Sequence, residues 1–315
     1  MVDARPDFPE PVFVGGSARS GTHALGRLVA ADPRYHLIGT EARFHSFKEG
    51  LPDLLAGDVE MARFLELFRG HWWRRGYRDS QGLHRIADEA QREAALERFE
   101  RDFAGDPWEA SRILVRAILD PAAQHEGKPA WIEVTGWNVQ SAPTLLRLFP
   151  NARFVNMVRD GRAVVAGHLK KKSLTDDPEE ALLHWRRRIR AADAAMRRLP
   201  PGRALIVHLD DLVAGDREGT FGRVVEFLEI VDQSAMHRYF DAEISADAAH
   251  LGGWRERMPP PDARRIDRRY RKLVRELHRA GISWVPTPED ASPSIGPLRL
   301  RRRPKTQTSE DAAGL

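Results

Sequence analysis

Short apolar runs rich in Val, Ile and Phe recur between longer stretches of helical periodicity, the alternation that a parallel sheet covered by helices requires. The first run, Pro11–Gly16 (PVFVGG), passes through a glycine-bearing loop into a helix predicted over about Thr22–Ala31. Further runs at Ala130–Thr135 (AWIEVT), Arg153–Val158 (RFVNMV) and Ala204–Leu209 (ALIVHL) read as buried strands, and the second of these three leads into a helix over about Asp160–Lys172. Helices also fit Pro178–Arg198, Thr220–Leu228 and Pro261–Ala280, the last entered through a triple proline. The pattern predicts an α/β fold.

Between the first two runs lies a charged, mostly helical stretch, Glu49–Leu119, which reads as an insertion on the sheet and contains HWWRRGY at His71–Tyr77. Aromatic pairs such as Trp72 and Trp73 are more often packing than a ligand platform. From about Pro286 the chain turns Pro/Ser-rich, then basic (LRLRRRPK), then polar, so residues 1–285 are expected to form the domain and 286–315 a mobile tail. No repeat of about 20–50 residues is present, which excludes a solenoid.

Composition narrows the picture further. Among 315 residues, 50 Lys and Arg stand against 46 Asp and Glu, a net charge of +4. Despite the basic tail Arg299–Lys305, no large field of one sign arises, so nucleic acid is not the expected partner. No run approaches the roughly 18 apolar residues of a membrane span. The start MVDARPDFPEPVF lacks the basic and apolar blocks of a secretory signal, and a cytoplasmic location is the expectation. With no cysteine, disulfide frameworks, thiolate zinc sites and cysteine nucleophiles are excluded.

The most informative segment is PVFVGGSARSGTHALGRLVAADP, Pro11–Pro33. An apolar strand enters a tight Gly/Ser loop that opens a helix at Thr22 and His23. Backbone N–H groups converge at such a helix start, where the partial positive charge of the helix end favours a phosphate or sulfate. Gly16 and Gly21 have the separation of a nucleotide-triphosphatase loop, but Thr22 stands where that loop has lysine. Arg19 supplies the cation from inside the loop, with a fork suited to an oxyanion. A similar unit recurs at Arg153–His168, RFVNMVRDGRAVVAGH, where Arg159-Asp160-Gly161-Arg162 opens a helix. Two strand ends carrying arginines would meet at the carboxyl edge of one sheet and grip a ligand with two anionic groups. The alternative for RDGR alone is a solvated helix start with a local ion pair.

RSGT after a first strand, followed in order by RDGRAVVAGH, resembles the sulfotransferases that use 3′-phosphoadenosine 5′-phosphosulfate (PAPS), and leans towards the bacterial, carbohydrate and tyrosylprotein branches. The resemblance runs from Val12 to about Trp284. It implies a P-loop NTPase-like three-layer α/β fold, a central parallel sheet flanked by helices. It also implies PAPS as donor, its desulfated nucleotide PAP as product, no metal, and a small-molecule, glycan or peptide acceptor. Arg19, Ser20, Gly21, Thr22 and the adjoining His23 would hold the 5′-phosphosulfate, and Arg159 the 3′-phosphate. Four positions depart from the family. His23 and Gly161 replace threonine and proline, Gly167 stands where a serine for the 3′-phosphate is usual, and Val134 stands where many relatives carry a lysine near the transferred group. His168 or Lys170–Lys172 could compensate for the serine, and Arg19, Arg43 or Lys170–Lys172 for the lysine.

Sulfuryl transfer needs positioning, neutralisation of the leaving group and a base for the acceptor. HLIGTEARFHS, His36–Ser46, resembles the GEETR stretch of the tyrosylprotein branch, which makes Glu41 the expected general base and Arg43 its assistant, with His45 and His23 in reserve. Near the C-terminus, Leu251-Gly252-Gly253-Trp254-Arg255 resembles the segment that closes over the nucleotide, so Trp254 and Arg255 join Arg159 in the expected 3′-phosphate site. Trp185 is more in keeping with core than catalysis. The rival functions are a P-loop kinase, against which the missing lysine argues, and a nucleic-acid binder.

Overall fold

The computed structural model describes residues 11–171 and 175–288. Five strands, β1 (Val12–Gly16), β2 (Tyr35–Leu37), β3 (Ala130–Val134), β4 (Arg153–Val158) and β5 (Ala204–His208), form one parallel sheet in the order β2-β3-β1-β4-β5. Four of them fall where the apolar runs predicted strands. The sequence reading missed β2, because three residues are too few to display an alternation. The chain builds β2 and β3 on one side of β1 and then crosses to β4 on the other. The carboxyl ends of β1 and β4 therefore lie side by side at the crossover, where open α/β sheets bind ligands.

Side-chain alternation divides the core into layers. Phe13, Trp131 and Phe154 face a layer built from α2 (Leu51–Ala56), α3 (Met61–Arg69), α4 (Glu89–Phe103), α5 (Pro107–His125) and α6 (Ala142–Leu148). Their strand neighbours Val12, Val14, Ile132 and Val155 face the opposite layer, formed by α1 (Thr22–Ala30) and helices from the later chain. The stretch read as an insertion thus supplies Phe64, Phe68, Trp72 and Phe99 to a core shared with the sheet. Trp72 and Trp73 are buried there, and α5 runs past Leu119 to His125 with Pro121 inside it.

After β4 come α7 (Gly161–Lys171) and α8 (Pro178–Met196), and after β5 come α9 (Leu209–Val213), α10 (Arg217–Phe227), α11 (Ser234–Glu243), α12 (Ala246–Ala249) and α13 (Pro260–Arg279). A third cluster joins α7, α8 and α13 around Trp185, Ile266 and Tyr270, which places Trp185 in the core. Gly161 is essential to that closeness: a Cβ there would lie 2.9 Å from both the Trp185 and Tyr270 rings. Among the described residues, no helix is long and apolar enough to cross a membrane. The basic tail Arg299–Lys305 lies outside the described residues.

Candidate active site

The loop after β1 is shaped by its glycines and by one buried hydroxyl. Gly16 has φ 141°, and a Cβ on it would meet the carbonyl oxygen of Met157 at 2.3 Å, so the sheet leaves room only for glycine. Ser20 Oγ donates to the carbonyl of Ser17 at 2.5 Å and is fully buried. The hydroxyl of Ser20, a residue expected to touch the donor, thus closes the loop from within. Gly21 occupies the N-cap of α1 in a left-handed conformation (φ 89°), and no side chain caps the helix. The N–H groups of Thr22 and His23 are therefore available to an anion, while that of Ala24 donates to the Gly21 carbonyl. Arg19 holds φ 70°, a strained value for a non-glycine residue of the kind that collects at functional sites.

Arg159 follows β4 and reaches the same loop. Its Nη1 donates to the carbonyl of Arg19 at 3.1 Å and its Nη2 to the carbonyl of Ala249, while its Nε is buried with no partner. Burial is the main force holding the Arg159 guanidinium below the usual arginine range. The other arginine of the motif does different work. Arg162, 1% exposed, forks onto Asp160, with Nη2 to Oδ2 at 2.6 Å, also pairs with Asp267, and lies 4.8 Å from the ring centres of Trp254 and Tyr270. Asp160–Arg162 is a buried pair, not a solvated helix start. Gly167, the family's serine position, lies under Arg19: a Cβ there would come 3.1 Å from Arg19 Cγ. Any side chain at 167 would press on the loop arginine.

Arg19, Gly21, Thr22, His23, Arg159 and Gly167 all line one cavity of about 580 Å³. Arg27, Lys170 and Arg257 add positive charge to its wall, against one carboxylate, Glu243, among the described residues, and Leu209, Val213, Tyr239 and Ile244 form an apolar flank. Trp254 and Arg255 do not line it. Trp254 is 4% exposed, and Arg255 stacks on its ring at 4.4 Å while remaining exposed. The residue from that segment in the wall is Arg257, because an irregular turn, unlike a helix or strand, gives no period from which to read the facing side. Arg257, Arg27 and Tyr239 had no signal in the sequence beyond their residue type. Asp210, at the foot of Arg159, is pushed up to about 6 by burial and by the charge of Asp160, against the pull of Arg159.

Glu41 stands beside this cavity in the segment after β2. Its Oε2 accepts from Arg43 Nε at 3.0 Å and Nη2 at 2.8 Å, and its Oε1 is 3.9 Å from Nε2 of the cavity residue His23. Arg75, from the stretch before α4, donates through Nη2 to the Glu41 carbonyl at 2.6 Å and holds Nη1 3.8 Å from Oε2. Burial, then the charge of Arg43, pull Arg75 down to about 10. The sequence reading missed Arg75, since nothing in HWWRRGY marks the inward arginine.

Val134 is buried in the apolar layer under α1. A buried cation arrives from α8 instead. Arg188 donates through Nη2 to the carbonyls of Gly16, at 3.2 Å, and Gly136, and stacks 4.3 Å from Trp137. Burial lowers Arg188 to about 10, opposed by the charge of Glu41. Of the cations expected to replace the family lysine, Arg19 and Lys170 line the cavity and Arg43 holds Glu41, while Lys172 lies outside the described residues. His45 is fully buried and turned to Glu133 and Asn138.

This arrangement defines a three-layer, P-loop-like α/β protein with a cationic cleft at the crossover of its parallel sheet and a carboxylate at the cleft's side. Residues 11–234 match the sequence model of the sulfotransferase family, and the chain belongs to that family. It is 23% identical over 240 residues to a putative protein-tyrosine sulfotransferase of Caenorhabditis briggsae, covering 74% of this chain and 70% of that one. It is 26% identical over 228 residues to protein-tyrosine sulfotransferase 2 of Gallus gallus, covering 70% of this chain but only 51% of the relative. The sulfotransferase domain of the Synechococcus PCC 7002 olefin synthase shares the fold at TM-score 0.51 and 19% identity, over 82% of this chain and 93% of that one. The sulfotransferase domain of the curacin biosynthetic pathway does so at TM-score 0.52 and 14% identity, over 83% and 97%.

Proposed function

We propose that the protein transfers the sulfuryl group of PAPS to a hydroxyl or amine acceptor by in-line attack, with Glu41 as general base. The observation that carries this reading is that Arg19 and Arg159, 140 residues apart, line one cavity and are hydrogen-bonded to each other. Its residues fit a nucleotide with two anionic ends. The open first turn of α1 and Arg19 suit a phosphosulfate, and Arg159 in the cavity wall suits a second phosphate. The apolar flank of Leu209, Val213 and Tyr239 suits a purine.

The donor brings a sulfuryl group already joined to a good leaving group. What the chain supplies is placement and charge: fixed cations neutralise the negative charge that grows on the departing oxygen, at no cost in reorganisation. Arg19 and the N–H groups of Thr22 and His23, which line the cavity, would face that charge. Glu41, 30% exposed at its side chain and braced by Arg43, takes the proton of the acceptor hydroxyl or amine. Incubating the protein with PAPS and panels of phenolic, sugar and peptide acceptors, then reading sulfuryl addition by mass spectrometry, tests the reading. Binding of magnesium-ATP in preference to PAP would overturn it in favour of a kinase.

A further inference from the structure

Behind Glu41 lies a buried charge cluster that the reaction, as proposed, leaves unused. Glu133, on β3, is 0% exposed. Its carboxylate accepts from Thr135 Oγ1 at 2.6 Å, from Asn138 Nδ2 at 2.6 Å and from the main-chain N–H of Ala42 at 3.0 Å. His45, also 0% exposed, brings Nε2 to 3.1 Å from that carboxylate and 2.9 Å from Asn138 Oδ1. Asn138 Nδ2 lies 3.1 Å from the carbonyl of Val14, which ties the cluster to β1 beside the anion loop. Burial alone would push the Glu133 carboxyl up; the charge of His45 and the three side-chain hydrogen bonds outweigh it and hold the group below the usual carboxylate range.

The two points at which this cluster fastens the loop are Ala42 and His45, and Arg43 lies between them with φ 62°. An arginine keeps that left-handed conformation only when its surroundings over-determine it. The same turn sets the guanidinium of Arg43 on the carboxylate of Glu41. A buried carboxylate held by hydrogen bonds is weak evidence for stability, because desolvation offsets most of the attraction, and its better-attested use is to fix one arrangement among several.

We infer that Glu133, paired with His45, is the positioning residue of Glu41: it brackets the strained turn at Arg43 and so aims the base. The inference rests on the reading of Glu41 as base, and a double-mutant cycle separates the two. Glu133→Gln is expected to lower kcat by about tenfold to a hundredfold, the scale of a small misplacement, with acceptor KM and PAP affinity within about twofold of wild type. In a Glu41→Gln background, adding Glu133→Gln is expected to change kcat by less than about twofold, because the group it aims is already gone. Where Glu133→Gln alone fails to fold, His45→Gln with Glu133→Gln replaces the buried carboxylate and its imidazole partner together and carries the same expectations. Wild-type kcat in a folded Glu133 variant, or losses that multiply with those of Glu41→Gln, overturns the positioning role and leaves Glu41 as base. Wild-type turnover in Glu41→Gln alone overturns the base and this inference with it.

Discussion

Arg159 and Arg19 are joined directly: Nη1 of Arg159 donates to the main-chain carbonyl of Arg19 across 3.1 Å. The bond exists because β1 and β4 are neighbours in the sheet, with Gly16 paired to Met157 two residues before Arg159. One arginine thereby braces the loop that presents the other. Charged hydrogen bonds of this kind contribute about 1.5–3 kcal/mol each. Arg19→Ala and Arg159→Ala are each expected to weaken PAP binding by about tenfold to a hundredfold in titration calorimetry. Full affinity in both variants would remove the cleft from consideration as the nucleotide site.

Arg257 and Arg255 offer a sharper comparison, since only the former lines the cavity while the latter stacks on Trp254. Arg257→Ala is expected to cost PAP affinity severalfold, with a shallower salt dependence because one cation fewer faces the ligand. Arg255→Ala should bind as wild type does. The reverse ranking would restore the role that the sequence resemblance implied for Arg255.

Glu41 accepts two hydrogen bonds from Arg43 and stands 3.9 Å from His23. Glu41→Gln preserves the shape and removes the proton acceptor. Turnover is expected to fall at least about a hundredfold while PAP affinity stays near wild type, since a general base contributes on that scale to the chemical step alone. Paired kcat and PAP-affinity measurements check this; unchanged turnover assigns the proton elsewhere.

Asp210 makes a pH-dependent contribution to the fold. Its carboxyl titrates at about 6 in the folded protein against 3.8 for a free aspartate, chiefly through burial. Between those values the folded state holds more protons than the unfolded one, so stability falls as pH rises through the window. The contribution is whole below about pH 4 and lost above about pH 6. Relative to wild type, Asp210→Asn should therefore gain stability in urea denaturation when the pH is taken from about 4 to about 7. An equal pH slope in both proteins would contradict it.

Much of the fold was legible because it rests on local pattern. The apolar runs at Val12–Gly16 and Arg153–Val158 mark strands buried on both faces, and the glycines of the anion loop mark a turn that a Cβ would block. The RSGT and RDGR segments were legible as turns opening helices at strand ends for the same reason. The ties around Glu41 were not. Arg75 and Glu133 reach it or its loop from two separate stretches, Arg188 reaches the carbonyls after β1 and β3, and nothing in HWWRRGY, HWRRR or AWIEV tells what each charged side chain will meet.

The sequence by itself determined the parallel strands and the arginine-bearing turns after β1 and β4, because strand burial and turn geometry are properties of neighbouring residues. Only the tertiary structure decided that Ser20 closes the loop, that Gly167 makes room for Arg19, that Arg257 faces the cleft in place of Arg255, and that Glu133 underlies Glu41. Those outcomes depend on which distant side chain reaches a shared space first and leaves no buried polar group unmatched. That contest is settled by packing across the sheet, where spacing along the chain carries no information.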